Sequence, residues 1–403
     1  MLLMSASEEV TYICNHVQLD CLHMIKKFIP KQEFDTLNKI EISKSAIFHN
    51  LEIFQKLNFN QKVFPVLKAN AYGHGLIELA QILKSKKFEY VCVDSYYEYQ
   101  KIKNIINCKT LIIGYTKPKN YVFFNFKKIA VTIYDIQSLK ALSKINSKIN
   151  IHLKIDTGMN RQGVQIDKIK NFLHELKKYS NIKLEGVMTH LADADNQNDN
   201  SYTNKQIEKF TIALDLIKSN GFKNIKYIHI ANSAGSLKIN DNRFNTIRLG
   251  LGLYGYDPIS ENDQCYAKIK NLKPCLQFKS TIVQAKLIEK LAKISYNLTF
   301  QAQENMRIGI IPAGYYDGID RNLSNIGFFS YNSQNLRILG KVCMNISICD
   351  ITNTDLQENN EITIISNDKN SINSVANIAK LCNTIPYVIT TKLAESTKRI
   401  IVA

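Results

Sequence analysis

Lys68 directly follows a short apolar run, within the string Pro65-Val66-Leu67-Lys68-Ala69-Asn70-Ala71-Tyr72-Gly73-His74-Gly75. A lysine amine can act as a base or form a covalent bond with a carbonyl compound when it is held in a partly desolvated site. A lysine at the end of a strand is more often a solvated cation. A catalytic role for Lys68 therefore depends on the groups that the fold places beside it.

Four further motifs also stand at the ends of apolar runs. They are residues 153–161 (LKIDTGMNR), 188–190 (MTH), 232–235 (NSAG) and 248–255 (RLGLGLYG). The last two combine Ser or Gly residues, and such loops supply the hydroxyl and backbone N–H groups that bind a phosphate. Arg161 and Arg248 add side chains that keep their positive charge in a protein. These residue types suit a phosphate-containing ligand.

The hydrophobic pattern of residues 38–268 indicates the elements that position these motifs. Amphipathic helices alternate there with eight β-like runs, at residues 63–67, 90–94, 110–114, 129–133, 151–155, 184–190, 225–230 and 245–249. Eight such units in succession predict a (β/α)₈ barrel rather than a doubly wound sheet. Barrel enzymes collect their functional residues at the carboxyl ends of the strands, which is where the motifs fall.

The pattern changes near residue 271. β-like runs then dominate, at residues 276–287, 307–311, 337–349 and 361–366, and one helix is predicted over residues 371–382 with a serine N-cap. We therefore predict an α/β TIM-like barrel at residues 38–268, followed by a mainly β C-terminal domain at residues 269–403. Residues 1–37 fit neither domain and form an N-terminal extension of unknown role.

The composition narrows the classes of partner. The formal net charge of the 403 residues is +17, but Lys and Arg are scattered and no basic run is interleaved with aromatic residues, so we expect no nucleic acid partner. No apolar run approaches the ~20 residues of a membrane span, and the N-terminus lacks the features of a signal peptide. The nine cysteines include no C-x-x-C pair, which is typical of a reducing compartment. We expect a cytoplasmic protein with neither a membrane partner nor a metal.

The string around Lys68 resembles, over its whole length, the motif that surrounds the cofactor lysine of the alanine racemases. The other motifs follow in the order of that family, as do residues 294–296 (ISY), 314–318 (GYYDG), 343–344 (CM) and 385–387 (IPY). The resemblance covers about residues 38–395. It implies a pyridoxal 5′-phosphate (PLP) enzyme of fold type III that interconverts L- and D-alanine and supplies D-alanine for peptidoglycan, with Lys68 carrying the cofactor.

The resemblance also implies roles for other site residues. The cofactor phosphate is bound by Tyr72, Ser233, Tyr387 and the backbone of Gly250 and Leu251. Arg248 faces the pyridine nitrogen, where many PLP enzymes place an acid; a guanidinium donates to this nitrogen and leaves the ring a weaker electron sink. Arg161 contacts the phenolic oxygen of the cofactor and the substrate carboxylate. His190 is assigned to the cofactor site and, with its neighbour Arg248, to lowering the pKa of Tyr296 for work at neutral pH. Lys154 is a candidate for carbamylation.

Racemisation requires a base on each face of the substrate α-carbon. By resemblance, Lys68 serves the D-enantiomer and Tyr296, in the β domain, serves the L-enantiomer. In this family the two halves of a site come from different subunits, which implies a homodimer with shared active sites. Met344 is assigned to the substrate. The residues assigned to the entrance are Tyr315, Arg321, Lys341 and Asn345.

Departures from the family pattern concentrate at the entrance. Asn297 replaces a common Gly, and Phe300 replaces a common Tyr. Lys341 stands where Arg is common, and Asn345 stands where Asp is usual. These changes bear on substrate range and rate more than on the type of reaction.

Three alternatives stay open on the sequence alone. A broader or serine-preferring racemase would share Lys68 and Tyr296, so that only substrate profiling separates it. A single-barrel PLP-binding protein without turnover would lack the β domain and its tyrosine motif. The related barrel decarboxylases for ornithine or diaminopimelate carry an acid where Arg248 stands.

Overall fold

The computed structural model describes residues 34–403. Most of the predicted N-terminal extension, residues 1–37, therefore lies outside the described residues. The first described strand, β1 (Asn38–Ser43), is followed by eight parallel strands: β2 (Lys62–Pro65), β3 (Tyr90–Val93), β4 (Lys109–Ile112), β5 (Ile129–Ile133), β6 (Ile149–Lys154), β7 (Ile182–Met188), β8 (Tyr227–His229) and β9 (Thr246–Leu249).

The eight parallel strands form a closed barrel. Strands β3 to β8 pair in chain order, and β2 pairs with β9. The N–H of Leu67 donates to the carbonyl of Cys92 (2.8 Å), which joins β2 to β3. The N–H of Arg248 donates to the carbonyl of Ala231 (3.0 Å), which joins β9 to β8. The predicted eight-stranded barrel is confirmed.

Helices cover the outside of the barrel. They are α1 (Lys44–Leu57), α2 (Leu76–Leu83), α3 (Tyr96–Ile102), α4 (Ile136–Ser143), α5 (Ile169–Leu176), α6 (Ser201–Ser219) and α7 (Gly235–Lys238), with short 3₁₀ segments at Pro118–Phe123, Ile166–Lys168, Leu251–Tyr254 and Tyr266–Lys268. The apolar face of α5, with Phe172 and Leu173, is buried as its periodicity predicts. Ser43, Ser95 and Asp135 cap α1, α3 and α4, because each side chain accepts an N–H of the first turn.

The C-terminal part is mainly β, as predicted. Its strands are β10 (Leu276–Thr281), β11 (Gln284–Ile288), β12 (Lys293–Ile294), β13 (Phe300–Gln301), β14 (Met306–Ile311), β15 (Phe328–Tyr331), β16 (Gln334–Arg337), β17 (Ser347–Asp350), β18 (Glu361–Ile365) and β19 (Lys398–Val402). A six-stranded sheet has the order β16-β15-β18-β10-β1-β19, a three-stranded sheet the order β11-β14-β17, and β12 and β13 form a hairpin.

Strand β1 belongs to the C-terminal sheet by its hydrogen bonds. It pairs antiparallel with β10, with Asn38 opposite Ser280, and parallel with β19. The chain therefore contributes one strand to this sheet before it enters the barrel. The domain boundary between residues 268 and 269 stays a prediction. Strand β1 lies within the predicted barrel range, residues 38–268, but it pairs with strands of the C-terminal sheet.

The predicted continuous strands at residues 276–287 and 337–349 are wrong, because each is interrupted. In the first, the N–H of Ile282 donates to Asn360 and the N–H of Val283 donates to Ile310, so the chain changes from one sheet to another between β10 and β11. In the second, Gly340 adopts a φ of 71°, and its N–H donates to the Asn325 side chain (2.6 Å). The loop at residues 338–346 therefore separates β16 from β17.

The prediction of a single C-terminal helix over residues 371–382 needs two corrections. Helix α8 (Val375–Leu381) begins later and is capped by Ser374. The buried amide of Asn373 donates to Ser330 and to the carbonyl of Thr363, which ties the preceding residues to the sheet. A second helix, α9 (Pro386–Thr391), also forms, and it begins with a proline at a position where the missing N–H does no harm.

The inside of the barrel is unusually polar. Barrels of this kind are ordinarily filled by Val, Ile and Leu. Here the rings of Phe64, Tyr90 and Tyr227 pack against the imidazoles of His152 and His229. The barrel therefore carries titratable groups beneath its carboxyl face.

Within residues 34–403 no helix is both long enough and apolar enough to cross a membrane. The same residues hold no cluster of His, Cys, Asp and Glu side chains suited to a metal ion. Their cysteines are free thiols.

Candidate active site

A cavity of about 910 Å³ lies at the carboxyl ends of the barrel strands. Ten residues predicted to hold the cofactor or to surround it contribute to its lining. They are Lys68, Tyr72, Lys154, Arg161, His190, Ser233, Arg248, Gly250, Leu251 and Tyr387. They come from the ends of five barrel strands and from α9, so that the closed barrel brings together motifs that are distant in the sequence.

Lys68 begins a short helical segment, Lys68–Tyr72, whose backbone is left-handed. The φ angles of the four residues that follow Lys68 lie between 52° and 55°. A left-handed turn costs roughly 1–2 kcal/mol per residue for ordinary side chains. Backbone strain of this kind is concentrated at functional sites, where surrounding contacts hold it in place.

Two side chains from other elements hold this turn. The carboxylate of Glu98 accepts the N–H of Ala69 (2.7 Å) and the N–H of Asp94 (2.7 Å), so it ties the turn to the end of β3. The guanidinium of Arg399 donates twice to the carbonyl of Gly73, at 2.8 and 3.1 Å. The position of Lys68 is therefore fixed by α3 and by the last strand of the chain.

The predicted phosphate-binding residues meet at one side of the cavity. The Ser233 hydroxyl accepts the N–H groups of Gly250 (3.3 Å) and Gly252 (3.2 Å). A Cβ added at Gly250 would lie 2.6 Å from the Tyr72 hydroxyl, so the glycine allows this hydroxyl to approach the backbone. The rings of Tyr72 and Tyr387 are 5.7 Å apart. These hydroxyl and N–H groups fit a phosphate. We call the group formed by Tyr72, Ser233, Gly250 and Tyr387 the phosphate cradle.

Both tyrosines at this cradle keep their protons. Burial raises the pKa of Tyr387 to about 12, with a contribution from Asp195. Burial and the neighbouring Tyr387 raise the pKa of Tyr72 well above its ordinary value. Each hydroxyl can therefore donate a hydrogen bond to an anion.

Arg248 is 4% exposed and is held by backbone and imidazole groups. Its Nη atoms donate to the carbonyls of Thr189 (2.7 Å), His229 (2.9 Å) and Ile230 (3.3 Å). They also donate to Nδ1 of His190 and Nδ1 of His229, both at 3.1 Å. The Nε–H has no partner within the described residues. Arg248 contributes to the lining of the cavity, so this donor is available for a further hydrogen bond.

The protonation of His190 follows from its contact with Arg248. Because a guanidinium only donates hydrogen bonds, Nδ1 of His190 accepts and its proton lies on Nε2. Burial and the charge of Arg248 lower the pKa of His190 well below 6.5, so the ring is neutral. Burial also lowers the pKa of Arg248, to about 10, which leaves the guanidinium charged at neutral pH.

Lys154 lies among other cations. Its Nζ donates to the side-chain carbonyl of Gln162 at 3.3 Å. Burial and repulsion by Arg248 and Arg161 lower the pKa of Lys154 to about 8. Arg161 itself is exposed and makes no hydrogen bond within residues 34–403. Its guanidinium is therefore free to bind an anionic group in the cavity.

The predicted second base lies in a different cavity of the same chain. This cavity has a volume of about 660 Å³, and Tyr296, Tyr315, Arg321 and Met344 contribute to its lining. It shares no lining residue with the Lys68 cavity. Tyr296 is 65% exposed. Within one chain the structure therefore does not bring Tyr296 to Lys68.

Two predicted entrance residues flank the second cavity without lining it. The backbone carbonyl of Lys341 accepts the hydroxyl of Ser295 at 2.7 Å, next to Tyr296 in the sequence. Asn345 is exposed and directly follows Met344.

The strand-to-turn segment at Tyr296 explains how Asn297 can replace a glycine. Ser295, Asn297 and Leu298 have φ angles of 63°, 60° and 52°. Asparagine is among the side-chain-bearing residues that best tolerate this left-handed region. The departure from the family pattern is therefore compatible with the local backbone.

Three residues that hold the two predicted bases in place were not predicted to do so from the sequence. Glu98 stands three residues after the cap Ser95, a pattern that signals a helix start but not a contact with the Lys68 turn. Arg399 and Ser295 carry no local signal for their roles, because their partners are distant in the sequence or defined by a loop.

A closed barrel with a lysine and an anion cradle at its carboxyl face, joined to a mainly β domain, defines a class of two-domain barrel enzymes. Residues 42–258 match the family model of the alanine racemase N-terminal domain. Residues 275–401 match the model of the alanine racemase C-terminal domain. The chain belongs to the alanine racemase family.

Individual relatives agree with this assignment. The alanine racemase of Borreliella burgdorferi (strain ZS7) is 36% identical over 371 residues, which cover 86% of this chain and 95% of that protein. The structure of alanine racemase from Bacillus anthracis with bound L-Ala-P matches with a TM-score of 0.85 at 26% identity, covering 92% of this chain and 96% of that one. Alanine racemase from Bartonella henselae with covalently bound pyridoxal phosphate shares the fold, with a TM-score of 0.80 at 23% identity over 91% of this chain and all of that one.

Proposed function

We propose that the protein interconverts L-alanine and D-alanine with PLP as its cofactor. The observation that carries the proposal is the cavity in which Lys68, the phosphate cradle around Ser233 and Arg248 meet. Membership of the family supports the same reaction, since the relatives are named alanine racemases. The covalently bound pyridoxal phosphate of the Bartonella henselae structure supports the cofactor.

PLP supplies an electron sink that acidifies the α-C–H bond of a bound amino acid. Lys68 would hold the cofactor covalently, and its free amine would move a proton at one face of the substrate α-carbon. The hydroxyls of Tyr72, Ser233 and Tyr387, with the backbone of Gly250 and Leu251, would bind the phosphate. This cradle positions the reacting atoms before any proton moves.

Arg248 and Arg161 tune and orient the reactants. Arg248 would hold the pyridine nitrogen of the cofactor and, because a guanidinium keeps its proton, would leave that nitrogen uncharged. A weaker electron sink shortens the lifetime of a carbanion and so limits side reactions such as transamination. Arg161 binds the phenolic oxygen of the cofactor and the carboxylate of the substrate.

Tyr296 serves the opposite face of the α-carbon from a second copy of the chain. The separation of Tyr296 and Lys68 into two cavities of one chain supports this arrangement, because within residues 34–403 the two proposed bases line different cavities. A homodimer would place the Tyr296 cavity of one subunit, with Met344 toward the substrate, over the Lys68 cavity of the other. Tyr315, Arg321, Lys341 and Asn345 would then surround the entrance.

A chiral assay tests the proposed reaction. Protein stripped of cofactor and then supplied with PLP should convert L-alanine until both enantiomers are present in equal amounts, because enantiomers have equal free energy. Stripped protein without PLP should not do so. A protein that binds PLP but leaves alanine unchanged would instead be a PLP-binding protein without turnover. L-serine assayed in parallel distinguishes the broader or serine-preferring racemase.

Lys154 is proposed to be carbamylated. Its neutral amine would attack CO₂ and release one proton, which yields a carbamate that neutralises the cation cluster and orients Arg161. The surrounding cations and the lowered pKa of about 8 support this proposal, since only the neutral amine reacts.

The carbamate should become more populated as the pH rises. At a fixed CO₂ pressure, the neutral fraction of Lys154 increases as the pH passes its pKa of about 8, whereas an ordinary lysine is still protonated there. ¹³C NMR under ¹³CO₂ should therefore show a carbamate signal that grows with pH and is absent from K154M. A signal of equal size in K154M would place the carbamate on another amine, and no signal at all would refute it.

The physiological setting is the supply of D-alanine for peptidoglycan. The free cysteines of residues 34–403 agree with the expected cytoplasmic location, since reducing compartments keep thiols unpaired. Asn345 in place of a common acid, and Lys341 in place of a common Arg, bear on the rate and the range of substrates at the entrance.

A further inference from the structure

A row of buried polar side chains extends from Arg248 into the barrel. Nη1 of Arg248 lies 3.1 Å from Nδ1 of His229, and Nε2 of His229 lies 2.9 Å from Nδ1 of His152. Nε2 of His152 lies 3.6 Å from a carboxylate oxygen of Glu185. All four side chains are buried, and only Arg248 contributes to the cavity lining. The row connects the guanidinium to a carboxylate through two imidazoles.

The N–H bonds of this row all point in one direction, from Arg248 toward Glu185. Because Arg248 donates, Nδ1 of His229 accepts, and the proton of the neutral ring lies on Nε2. That proton is donated to Nδ1 of His152, so the His152 proton lies on its own Nε2 and faces Glu185. Successive donors polarise one another when they are aligned in this sense.

The charge states agree with this direction. Burial lowers the pKa of His229 and of His152, so both rings are neutral. Burial raises the pKa of Glu185, but contacts from His152 and Tyr90 outweigh it, and the carboxyl is ionised at neutral pH. The row therefore has a positive end at Arg248 and a negative end at Glu185.

The backbone is shaped around the His152 ring. The pairing of β6 and β7 shifts register between Ile151 and His152. A Cβ added at Gly186 would lie 2.4 Å from Nδ1 of His152, so only glycine leaves room for the imidazole here. The place of the ring is thus specified by two strands.

We infer that Glu185 and His152 are positioning residues, which act through His229 to fix the orientation and charge of Arg248 at the cofactor ring nitrogen. The inference rests on the proposed function. Arg248 makes no ion pair within residues 34–403. Two hydrogen bonds lead from Arg248 through His229 to His152, and a 3.6 Å contact, too long for a hydrogen bond, leads from His152 Nε2 to the Glu185 carboxylate. A well-packed apolar filling would be at least as stable as a buried charge row. Stability alone therefore does not account for these residues.

The variant E185Q tests the inference because it removes the charge and keeps the shape. It should move the visible absorption maximum of bound PLP and lower kcat about tenfold, the size expected when one buried charge next to the row is removed, while KM for alanine changes little. G186A should cause the same spectral shift, because it displaces the His152 ring without changing a titratable group.

The matched control is E89Q. Glu185 accepts the hydroxyl of Tyr90, and Glu89 likewise accepts the hydroxyl of Tyr227, at 2.8 Å. Neither His152 nor His229 contacts Glu89. E89Q should leave the absorption maximum and kcat unchanged. If E185Q and E89Q behave alike, the row only fills space and the inference is wrong.

A measurement on the unsubstituted protein covers the case in which E185Q does not fold. Histidine side-chain ¹⁵N NMR of the PLP-loaded protein should show His152 and His229 as neutral rings with the proton on Nε2. A charged His152, or a proton on its Nδ1, would overturn the inference. This measurement does not depend on racemase activity. It therefore distinguishes failure of the proposed function from failure of the proposed positioning role of Glu185 and His152.

Discussion

K68A should abolish both racemisation and the covalent retention of PLP. Loss of a positioned base alone lowers a rate by ~10²–10⁴, and the lost covalent link adds to that effect. The phosphate cradle around Ser233 and Tyr72 remains in K68A, so the variant should still bind PLP weakly and reversibly. Visible absorbance, and borohydride reduction followed by peptide mapping, measure the covalent retention directly.

The matched control for this experiment is K101A. Lys101 lies on α3 near the Lys68 turn but outside the main cavity, so its removal should leave a reducible cofactor adduct on Lys68. Lys154 is the other lysine that contributes to the cavity lining. A reducible adduct that maps to Lys154 in the unsubstituted protein would refute the assignment of Lys68.

Y296F should impair proton removal from L-alanine far more than from D-alanine. The substitution removes only the phenolic oxygen, and the loss of one positioned base lowers the affected half-reaction by ~10²–10⁴. Exchange of the α-proton in D₂O, followed separately for each enantiomer, measures the two directions. Lys68 is unchanged in this variant, so exchange at the D-enantiomer should persist.

Y316F is the matched control for Y296F. Tyr316 is a similarly exposed tyrosine of the same domain, and it is absent from the lining of both cavities. Its substitution should leave both exchange rates unchanged. Equal and mild effects of Y296F on the two enantiomers would mean that the second base lies elsewhere.

Mixed dimers of the two inactive variants decide whether Tyr296 acts across subunits. In a K68A–Y296F hybrid, shared sites would place both defects in one site and neither defect in the other. Activity should then return, toward half that of the unsubstituted enzyme per hybrid. Hybrids whose formation is confirmed but which stay inactive would show that Tyr296 serves the Lys68 of its own chain.

The sequence by itself determined the barrel and the residues that meet at its carboxyl face. Lys68, His190 and Arg248 all stand at the ends of apolar runs, and parallel strands closed in a barrel must end on one face. Their convergence therefore follows from the order of the runs. The apolar periodicity of α5 and of the strands is local information, so it could be read without any knowledge of distant contacts.

Strand boundaries in the C-terminal domain were less predictable. The apolar run at residues 276–287 gives no sign of where the chain leaves one sheet for the other, because the change depends on partners at Asn360 and Ile310. The break at Gly340 depends in the same way on the side chain of Asn325. Both partners are remote from the runs that they interrupt, so a local pattern cannot contain them.

Only the tertiary structure decided how the site residues are held and which of them meet. The left-handed turn after Lys68 is maintained by Glu98 and Arg399, whose contacts span large distances in the sequence. The row from Arg248 to Glu185 exists because neighbouring barrel strands present inward-facing side chains at matching heights. The separation of Tyr296 from Lys68 is likewise a property of the folded chain, since strand-end motifs specify a face of a domain but not the distance between two domains' cavities.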